Sequence, residues 1–195
     1  MGAGYLGNAG VFLVQTLFGL FCLAVLLRLL LQWVRADFYN PLAQFLVKVT
    51  NPALRPLRRF IPGYAGIDFA ALVLALTLQL IELVLVDAIL DRGFNIPGLL
   101  VRSVAGVATI LVYIFIGSIL IQAIISWVNP TGYNPVTAIL YRLNEPMLAP
   151  ARRLMPPIGG IDLSPLAVLI VLQLVLLLII APLSDIGMAL SLGRL

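Results

Sequence analysis

The chain has 195 residues, of which 62% are hydrophobic and only 10% are charged, and it contains no histidine. Soluble domains carry about 25% charged residues, so this composition excludes a soluble enzyme and a secreted disulfide scaffold and indicates an integral membrane protein. The net charge of +4 is too small and too dispersed for a nucleic-acid-binding surface. The single cysteine can form no internal disulfide and no Cys/His metal site.

Four apolar stretches are each long enough to cross a bilayer, whose core requires about 20 helical residues. They occupy about 9–34, 69–90, 104–128 and 163–183. Two long links, 35–68 and 129–162, join the first span to the second and the third to the fourth. The sequence therefore predicts an all-α, polytopic membrane protein with four transmembrane helices.

The distribution of basic residues predicts the orientation of the chain, because cytoplasmic segments carry the excess of lysine and arginine. The two links carry Arg35, Lys48, Arg55, Arg58, Arg59, Arg142, Arg152 and Arg153. The opposite side carries Arg92, Arg102 and Arg194. We therefore expect the links in the cytoplasm and both termini outside it.

The sequence contains an internal repeat, which becomes visible when the chain is shifted by 94 residues so that Trp33 lies over Trp127. The first copy has the motif residues Asn40, Pro41, Pro52, Pro56, Pro62, Gly66 and Asp68. The second copy has Asn134, Pro135, Pro146, Pro150, Pro156, Gly160 and Asp162. We assign the repeats to 10–90 and 104–185. Because two spans return the chain to its starting side, the repeats are parallel, with an expected pseudo-two-fold axis along the membrane normal.

The links are predicted to be amphipathic helices. Each begins at an Asn-Pro pair, typical of an N-cap followed by proline at the first helical position. In the first link Leu42, Phe45, Leu46 and Val49 have the spacing of an apolar helical face. Pro52 and Pro146 are expected to break these helices, leaving a second short segment with the arginine pair. We expect the links to lie in the headgroup layer, with a shallow re-entrant loop as the alternative.

The repeated motif resembles that of the YggT family, which also includes YlmG-like proteins. The second copy reads Pro-Met-Leu-Ala-Pro-Ala-Arg-Arg over 146–153 and Gly-Gly-Ile-Asp-Leu-Ser-Pro over 159–165. The first copy departs from it at Ala65, Ala70 and Ala71. The resemblance covers about 10–185 and implies a small membrane protein, in bacteria of the inner (plasma) membrane, with no established reaction. It further implies links to division, nucleoid distribution, haem attachment to cytochrome b6 or osmotic tolerance.

The arginine pairs are the candidate binding residues of the links. Arg58, Arg59, Arg152 and Arg153 could bind anionic lipid headgroups or an acidic partner, although the orientation rule alone also explains basic residues there. Asp68 and Asp162 directly precede spans, where a carboxylate can cap the helix. An ion pair with the arginines of the same link is compatible with this capping role.

Three polar side chains are expected inside the membrane. Gln79 and Gln173 are related by the repeat, and we expect interhelical hydrogen bonds from them, with a polar permeation site as the alternative. Glu82 has Leu176 as its repeat equivalent. An ionisable group within a span is a functional candidate, here for proton or cation handling. The alternative is a carboxylate that is protonated, hydrogen-bonded or snorkelling outward. Arg28, nearer the cytoplasmic face, is expected to snorkel.

The sequence contains no motif for a catalytic, metal or cofactor site, and we expect no enzyme activity, no cofactor and no direct contact with nucleic acid. The leading hypothesis is a non-catalytic membrane protein that organises or assembles an envelope, division or cytochrome-related complex. Its expected partners are anionic lipids and an unidentified membrane protein or a second copy. The alternative is a small oligomeric channel or transporter for ions or osmolytes, which would use Gln79, Glu82 and Gln173.

Overall fold

The computed structural model describes residues 2–64, 66–128, 134–155 and 162–193, and their regular elements are all helices. In chain order the helices are α1 (Gly2–Trp33), α2 (Pro41–Leu57), α3 (Phe69–Ile89), α4 (Ile96–Val128), α5 (Pro135–Leu154), α6 (Ser164–Val175) and α7 (Ala181–Ser191). A π-helical turn, Leu176–Ile180, joins α6 to α7.

Four helical stretches are long and apolar enough to cross a membrane, which confirms the four predicted spans. They are Gly4–Trp33, Phe69–Ile89, Ile96–Ser126 and Ser164–Ser191. The third begins before the predicted start near 104, because Asn95 Oδ1 accepts a hydrogen bond from the Gly98 N–H at 2.8 Å and caps the helix there. The fourth passes the predicted end near 183 because Asp185 is exposed and need not interrupt it.

The π-helical turn in the fourth span has a local cause in the sequence. Pro182 lies in the first turn of α7, where it has no N–H to donate and its ring would clash with the carbonyl of the preceding turn. The turn inserts one extra residue just before this proline, so that the Ala181 N–H donates to Leu176 O. The fourth span therefore continues through the proline instead of ending at it.

The two links contain one long amphipathic helix each. Asn40 Oδ1 accepts from the Leu42 N–H at 3.0 Å, and Asn134 Oδ1 accepts from the Val136 N–H at 2.9 Å. These contacts confirm the predicted N-caps, each followed by a proline at the first helical position, Pro41 or Pro135. In the first link Leu46 is buried against the spans, whereas Phe45 is 60% exposed.

The expectation that Pro52 and Pro146 break the link helices is wrong. Helix α2 continues through Pro52 and Pro56, and α5 continues through Pro146 and Pro150. Each pair is spaced by four residues, so both prolines lie on one side of their helix, and all four are exposed. The carbonyl groups that receive no N–H bond from these prolines therefore face away from the protein. The opposite side of each helix is buried against the spans.

The helices form a bundle with two distinct ends. The link face carries α2 and α5, and the terminal face carries the beginning of α1 and the end of α7. Helix α1 packs antiparallel to α3, and α4 packs antiparallel to the fourth span. Each link helix packs on both spans that it joins, and Leu54 and Leu148 are completely buried there.

The two repeats are joined through α3 and α4, and no comparable packing joins the first span to the fourth in the described part of the chain. A complete two-fold relation would make these two contacts equivalent, so the expected pseudo-two-fold symmetry is only partial. The reason is visible at Gly106, where an added Cβ would overlap Gln79 Oε1 of α3. Its equivalent in the first span is Phe12, which is too large for such a close approach.

Candidate functional site

The first arginine of each pair forms an ion pair with the aspartate at the start of the following span. Arg58 donates through Nε to Asp68 Oδ2 at 3.2 Å and also through its NH2 group. Arg152 donates through Nε to Asp162 Oδ2 at 3.0 Å. The equivalent aspartates also accept backbone N–H bonds, from Ala71 at 3.3 Å and from Ser164 at 2.9 Å. Capping and ion pairing therefore coexist at Asp68, the N-cap of α3. Asp162 lies one residue before Leu163, the N-cap of α6, and combines its ion pair with a bond from the first N–H of that helix.

The two ion pairs differ in exposure. Asp68 is 3% exposed, whereas Asp162 is 41% exposed and its arginine also reaches Glu145 Oε2 at 3.2 Å. Burial would raise the pKa of Asp162, but the hydrogen bonds from Ser164 and Arg152 outweigh it and hold that pKa below its ordinary value. Asp162 is therefore ionised at neutral pH, but its interaction with Arg152 is strongly screened by solvent.

The second arginine of each pair is exposed. Arg59 and Arg153, which we call the outer arginines, have no acidic partner among the described residues. They follow the ion-paired arginines directly and occupy equivalent positions in the two repeats. The predicted four-arginine set is therefore divided into two structural residues and two that are available for other contacts.

The remaining motif residues shape the ends of the links. Gly66 adopts a left-handed conformation, with φ of +83°, in the turn where Tyr64 and Ile67 exchange backbone hydrogen bonds. A side chain there would be strained, which explains the glycine. Pro62 lies just before this turn and is exposed. Pro156 and Gly160, the equivalent motif residues of the second copy, lie outside the described residues.

The Asn-Pro starts of the two links lie close together at the link face. Asn40 Nδ2 donates to Pro135 O at 2.6 Å, and Arg142 donates to Arg35 O at 2.9 Å. These bonds border a cleft of about 410 Å³ that is also lined by Asp37. The repeats are thus connected directly by their motif residues, a contact that sequence spacing alone does not reveal.

A polar contact between span and link was missed in the sequence. Arg28 is 6% exposed, and its NH1 group donates to Thr50 Oγ1 at 2.7 Å instead of snorkelling. In the second repeat Asn144 Nδ2 donates to Gln122 Oε1 at 2.8 Å. Shifted by 94 residues, Arg28 lies over Gln122 and Thr50 over Asn144. All four residues are polar, and they occupy repeat-equivalent positions. This pattern could have predicted the contact from the sequence, although the residue types differ.

The structure does not bring the three predicted intramembrane residues together. Gln79 is buried, and its Nε2 donates to Glu82 Oε2 at 2.6 Å on the same helix. Gln173, its repeat equivalent, is exposed on the outside of α6. The two glutamines therefore form no shared polar site in a single chain.

A buried ion pair joins the second and third spans near the terminal face. Arg102 NH1 donates to Asp87 Oδ2 at 2.5 Å, and these side chains are 10% and 1% exposed. Removing a single partner of such a pair leaves an uncompensated buried charge. This contact therefore holds the repeats together at the end opposite the Asn40 contact.

These observations define a polytopic helical membrane protein built from two tandem repeats, each with an amphipathic link helix tied to its spans by an Arg–Asp ion pair. The family model CCB3/YggT matches residues 7–89 and 101–183. The chain therefore belongs to the CCB3/YggT family, and the resemblance inferred from the repeated motif is confirmed.

The chain is similar along most of its length to proteins of several bacteria. An uncharacterised protein of Pseudomonas aeruginosa is 44% identical over 177 residues, which cover 90% of each chain. The uncharacterised protein YggT of Escherichia coli is 39% identical over 170 residues, 86% of this chain and 87% of the relative. A protein of Vibrio alginolyticus is 42% identical over 175 residues, 85% and 90% of the two chains. No solved structure gives a significant match.

Proposed function

We propose that this protein is a non-catalytic component of the bacterial inner membrane that organises or assembles an envelope, division or cytochrome-related complex. Its contact surface is the link face, oriented toward the cytoplasm. The observation that carries this proposal is the equal division of the arginine pairs, in which Arg58 and Arg152 are held by aspartates while Arg59 and Arg153 remain exposed.

The division of the pairs gives the link face a defined geometry. Each ion pair connects the end of a link helix to the start of the next span. The backbone of the neighbouring outer arginine is therefore restricted to one position. The positive-inside bias explains basic residues on this side, but it does not require that the same exposed arginine follow an ion-paired one in both repeats. Two fixed cationic groups suit an acidic protein surface or anionic headgroups.

The alternative of a channel or transporter has less support from the geometry. A permeation path built on Gln79, Glu82 and Gln173 would need these residues around one axis. Gln79 instead donates to Glu82 within α3 and lies against Gly106, while Gln173 faces outward from another helix. A single chain therefore provides no common lining for the three.

A cross-linked pull-down from native membranes tests the proposed contact surface. The double variant Arg59→Ala/Arg153→Ala removes both outer arginines and leaves the ion pairs intact. The matched control Lys48→Ala/Arg55→Ala removes two other exposed link charges. We expect a defined membrane or division protein to be captured by the wild type and the control but lost from the outer-arginine variant. Equal capture by all three would refute this use of the link face.

The proposed orientation is tested with single cysteines in a Cys22→Ala background. Lys48→Cys lies on the link face and Phe94→Cys in the connection between α3 and α4, and both positions are exposed. In intact spheroplasts, a membrane-impermeant maleimide should label position 94 and reach position 48 only after the membrane is opened. The reverse labelling would place the links outside the cytoplasm.

A further inference from the structure

Between Pro165 and Leu183 of the fourth span, Gln173 is the only polar side chain in an otherwise apolar stretch. Gln173 is exposed, as are Leu163, Leu166, Ile170 and Leu177, which are 40%, 58%, 54% and 56% exposed. We call these five residues the Gln173 seam. Their successive spacings of three and four residues place them along one stripe of the helix, the arrangement of a helix-pairing interface.

The seam lies away from the part of the span that packs inside the chain. Ser164, Val168, Leu172, Leu176 and Ile180 are buried and follow each other at intervals of four residues, facing α4 and α5. The seam occupies roughly the opposite side of the helix. The fold of one chain therefore leaves much of this stripe uncovered by protein among the described residues.

An amide on this surface requires a hydrogen-bonding partner. Within the described residues, no hydrogen bond joins the Gln173 side chain to another group. In hydrocarbon an unsatisfied amide is unfavourable, and glutamine side chains in spans form hydrogen bonds between helices. The repeat equivalent, Gln79, is buried against a neighbouring span, and its amide is satisfied by Glu82 of its own helix. Gln173 has the same chemistry but faces outward.

We propose that the Gln173 seam is the contact surface of a homodimer, in which two copies of this chain pair through their fourth spans. A two-fold axis along the membrane normal brings Gln173 opposite the same residue of the second copy. A glutamine amide carries both a donor and an acceptor, so two identical side chains satisfy each other. The apolar seam residues then pair with their own equivalents, as in a parallel two-stranded helix pair.

A second copy of the chain suits the Gln173 amide better than lipid or a different protein does. Lipid tails can cover the leucines and Ile170, but they offer no group to the amide. A different membrane protein would have to supply a matching donor and acceptor at the same depth, which an identical chain supplies by symmetry. The contact includes neither of the outer arginines, so it does not depend on the proposed function.

Disulfide cross-linking in native membranes tests the dimer. Cys22 is the only cysteine of the chain, so a Cys22→Ala background allows single cysteines at 166, 170, 173 and 177 on the seam. Val171→Cys and Leu178→Cys are matched controls, because these residues of the same span are 57% and 70% exposed but lie off the seam. With a mild oxidant we expect homodimers at the four seam positions, several-fold more abundant than at the controls.

Three results would overturn the proposal. Equal cross-linking at seam and control positions would mean random collision in the bilayer. The absence of homodimer at every seam position would mean that lipid covers the seam. Cross-linking only to a different protein would assign the surface to that partner. Because all positions are exposed, these substitutions disturb the packing inside the chain only slightly.

A second measurement isolates the contribution of the amide. In lipid vesicles of increasing dilution, Gln173→Leu should raise the dimer dissociation constant about 3-fold to about 30-fold, the range expected for interhelical polar contacts in membranes. Gln173→Asn, which keeps an amide, should lie between the wild type and the leucine variant. Unchanged or tighter association of Gln173→Leu would exclude the paired amides.

Discussion

Equivalent positions of the two repeats make similar contacts with different side chains. The first repeat joins its span to its link helix by a cation, Arg28, and a hydroxyl, Thr50. The second uses two amides, Gln122 and Asn144, and adds Ser118 Oγ, which donates to Asn144 Oδ1 at 2.6 Å. The contact lies at the same position in both repeats, but only the first repeat has a charged residue there. We infer that it fixes how the link helix lies on the span.

Loss of the Thr50 hydroxyl should destabilise the protein. Thr50→Val leaves the buried Arg28 guanidinium without this acceptor, and we expect the free energy of unfolding to fall by about 2 kcal/mol. The double variant Arg28→Gln/Thr50→Asn transplants the amide pair of the second repeat and should recover most of this loss. Unfolding in mixed detergent micelles, followed by circular dichroism, measures both effects.

Thr77→Val is the control for this experiment. The Thr77 hydroxyl is exposed and donates only to Val73 O of its own helix, at 2.8 Å. The substitution makes the same chemical change without removing an interhelical bond, so stability should hardly change. If Thr77→Val and Thr50→Val were equally destabilising, the span-to-link contact would not be the cause.

The ion pair of the second repeat predicts a specific response to acid. Because the pKa of Asp162 is lowered in the folded protein, its contribution to stability is complete well above the ordinary value of 3.8 and is lost as the pH falls through the lower folded-state value. Exposure of Asp162 limits this contribution to less than about 1 kcal/mol.

Unfolding curves between pH 2 and 6 test the response to acid. The difference in stability between the wild type and Asp162→Asn should be constant toward pH 6 and disappear at the acid end. A difference that stays the same at every pH would show that the carboxylate charge is not involved.

The link helices show how far local sequence rules extend. The Asn-Pro caps, the four spans and the basic links were predictable, because capping and apolar length act locally. The continuity of α2 and α5 through Pro52 and Pro146 was not, because the rule that proline ends a helix assumes no tertiary support. Here Leu46 and Leu54 on the buried side of α2 are held by the spans, which keeps the helix together.

The two cap asparagines should differ in their effect on stability. Asn134→Ala removes an N-cap and should cost about 1 kcal/mol. Asn40→Ala removes an N-cap and also the bond from Nδ2 to Pro135 O, so we expect about 2 kcal/mol. Asn40→Asp retains the capping oxygen but loses the donor, and should fall between the wild type and Asn40→Ala.

Thermal unfolding of the three cap variants in detergent separates capping from the contact between repeats. Asn51→Ala is the matched control, because Asn51 lies inside α2 and its side chain forms no hydrogen bond among the described residues. This control should be neutral or slightly stabilising, since alanine favours the helix. Equal losses for Asn40→Ala and Asn134→Ala would show that the cross-repeat bond contributes nothing to stability.

At the scale of the whole molecule, the two repeats are joined at three depths. Asn40 meets Pro135 at the link face, Gln79 meets Gly106 within the bundle, and Asp87 meets Arg102 near the terminal face. The repeat itself was predictable from the sequence, but none of these contacts follows from it. Each pairs residues that are not repeat equivalents, and the packing of α3 on α4 and of α1 on α4 and α5 brings them together.

The Asp87–Arg102 pair should be the strongest polar connection between the repeats. Asp87→Leu leaves Arg102 unpaired in a buried position, and we expect a loss of about 3 kcal/mol in the free energy of unfolding. The double variant Asp87→Leu/Arg102→Leu removes both charges and should recover most of this loss, because well-packed apolar residues can replace a buried pair.

The control is Arg92→Leu, which removes an exposed charge in the connection between α3 and α4 and should have little effect on stability. A double-mutant cycle in detergent measures the coupling, and additive losses would mean that the two side chains do not stabilise each other.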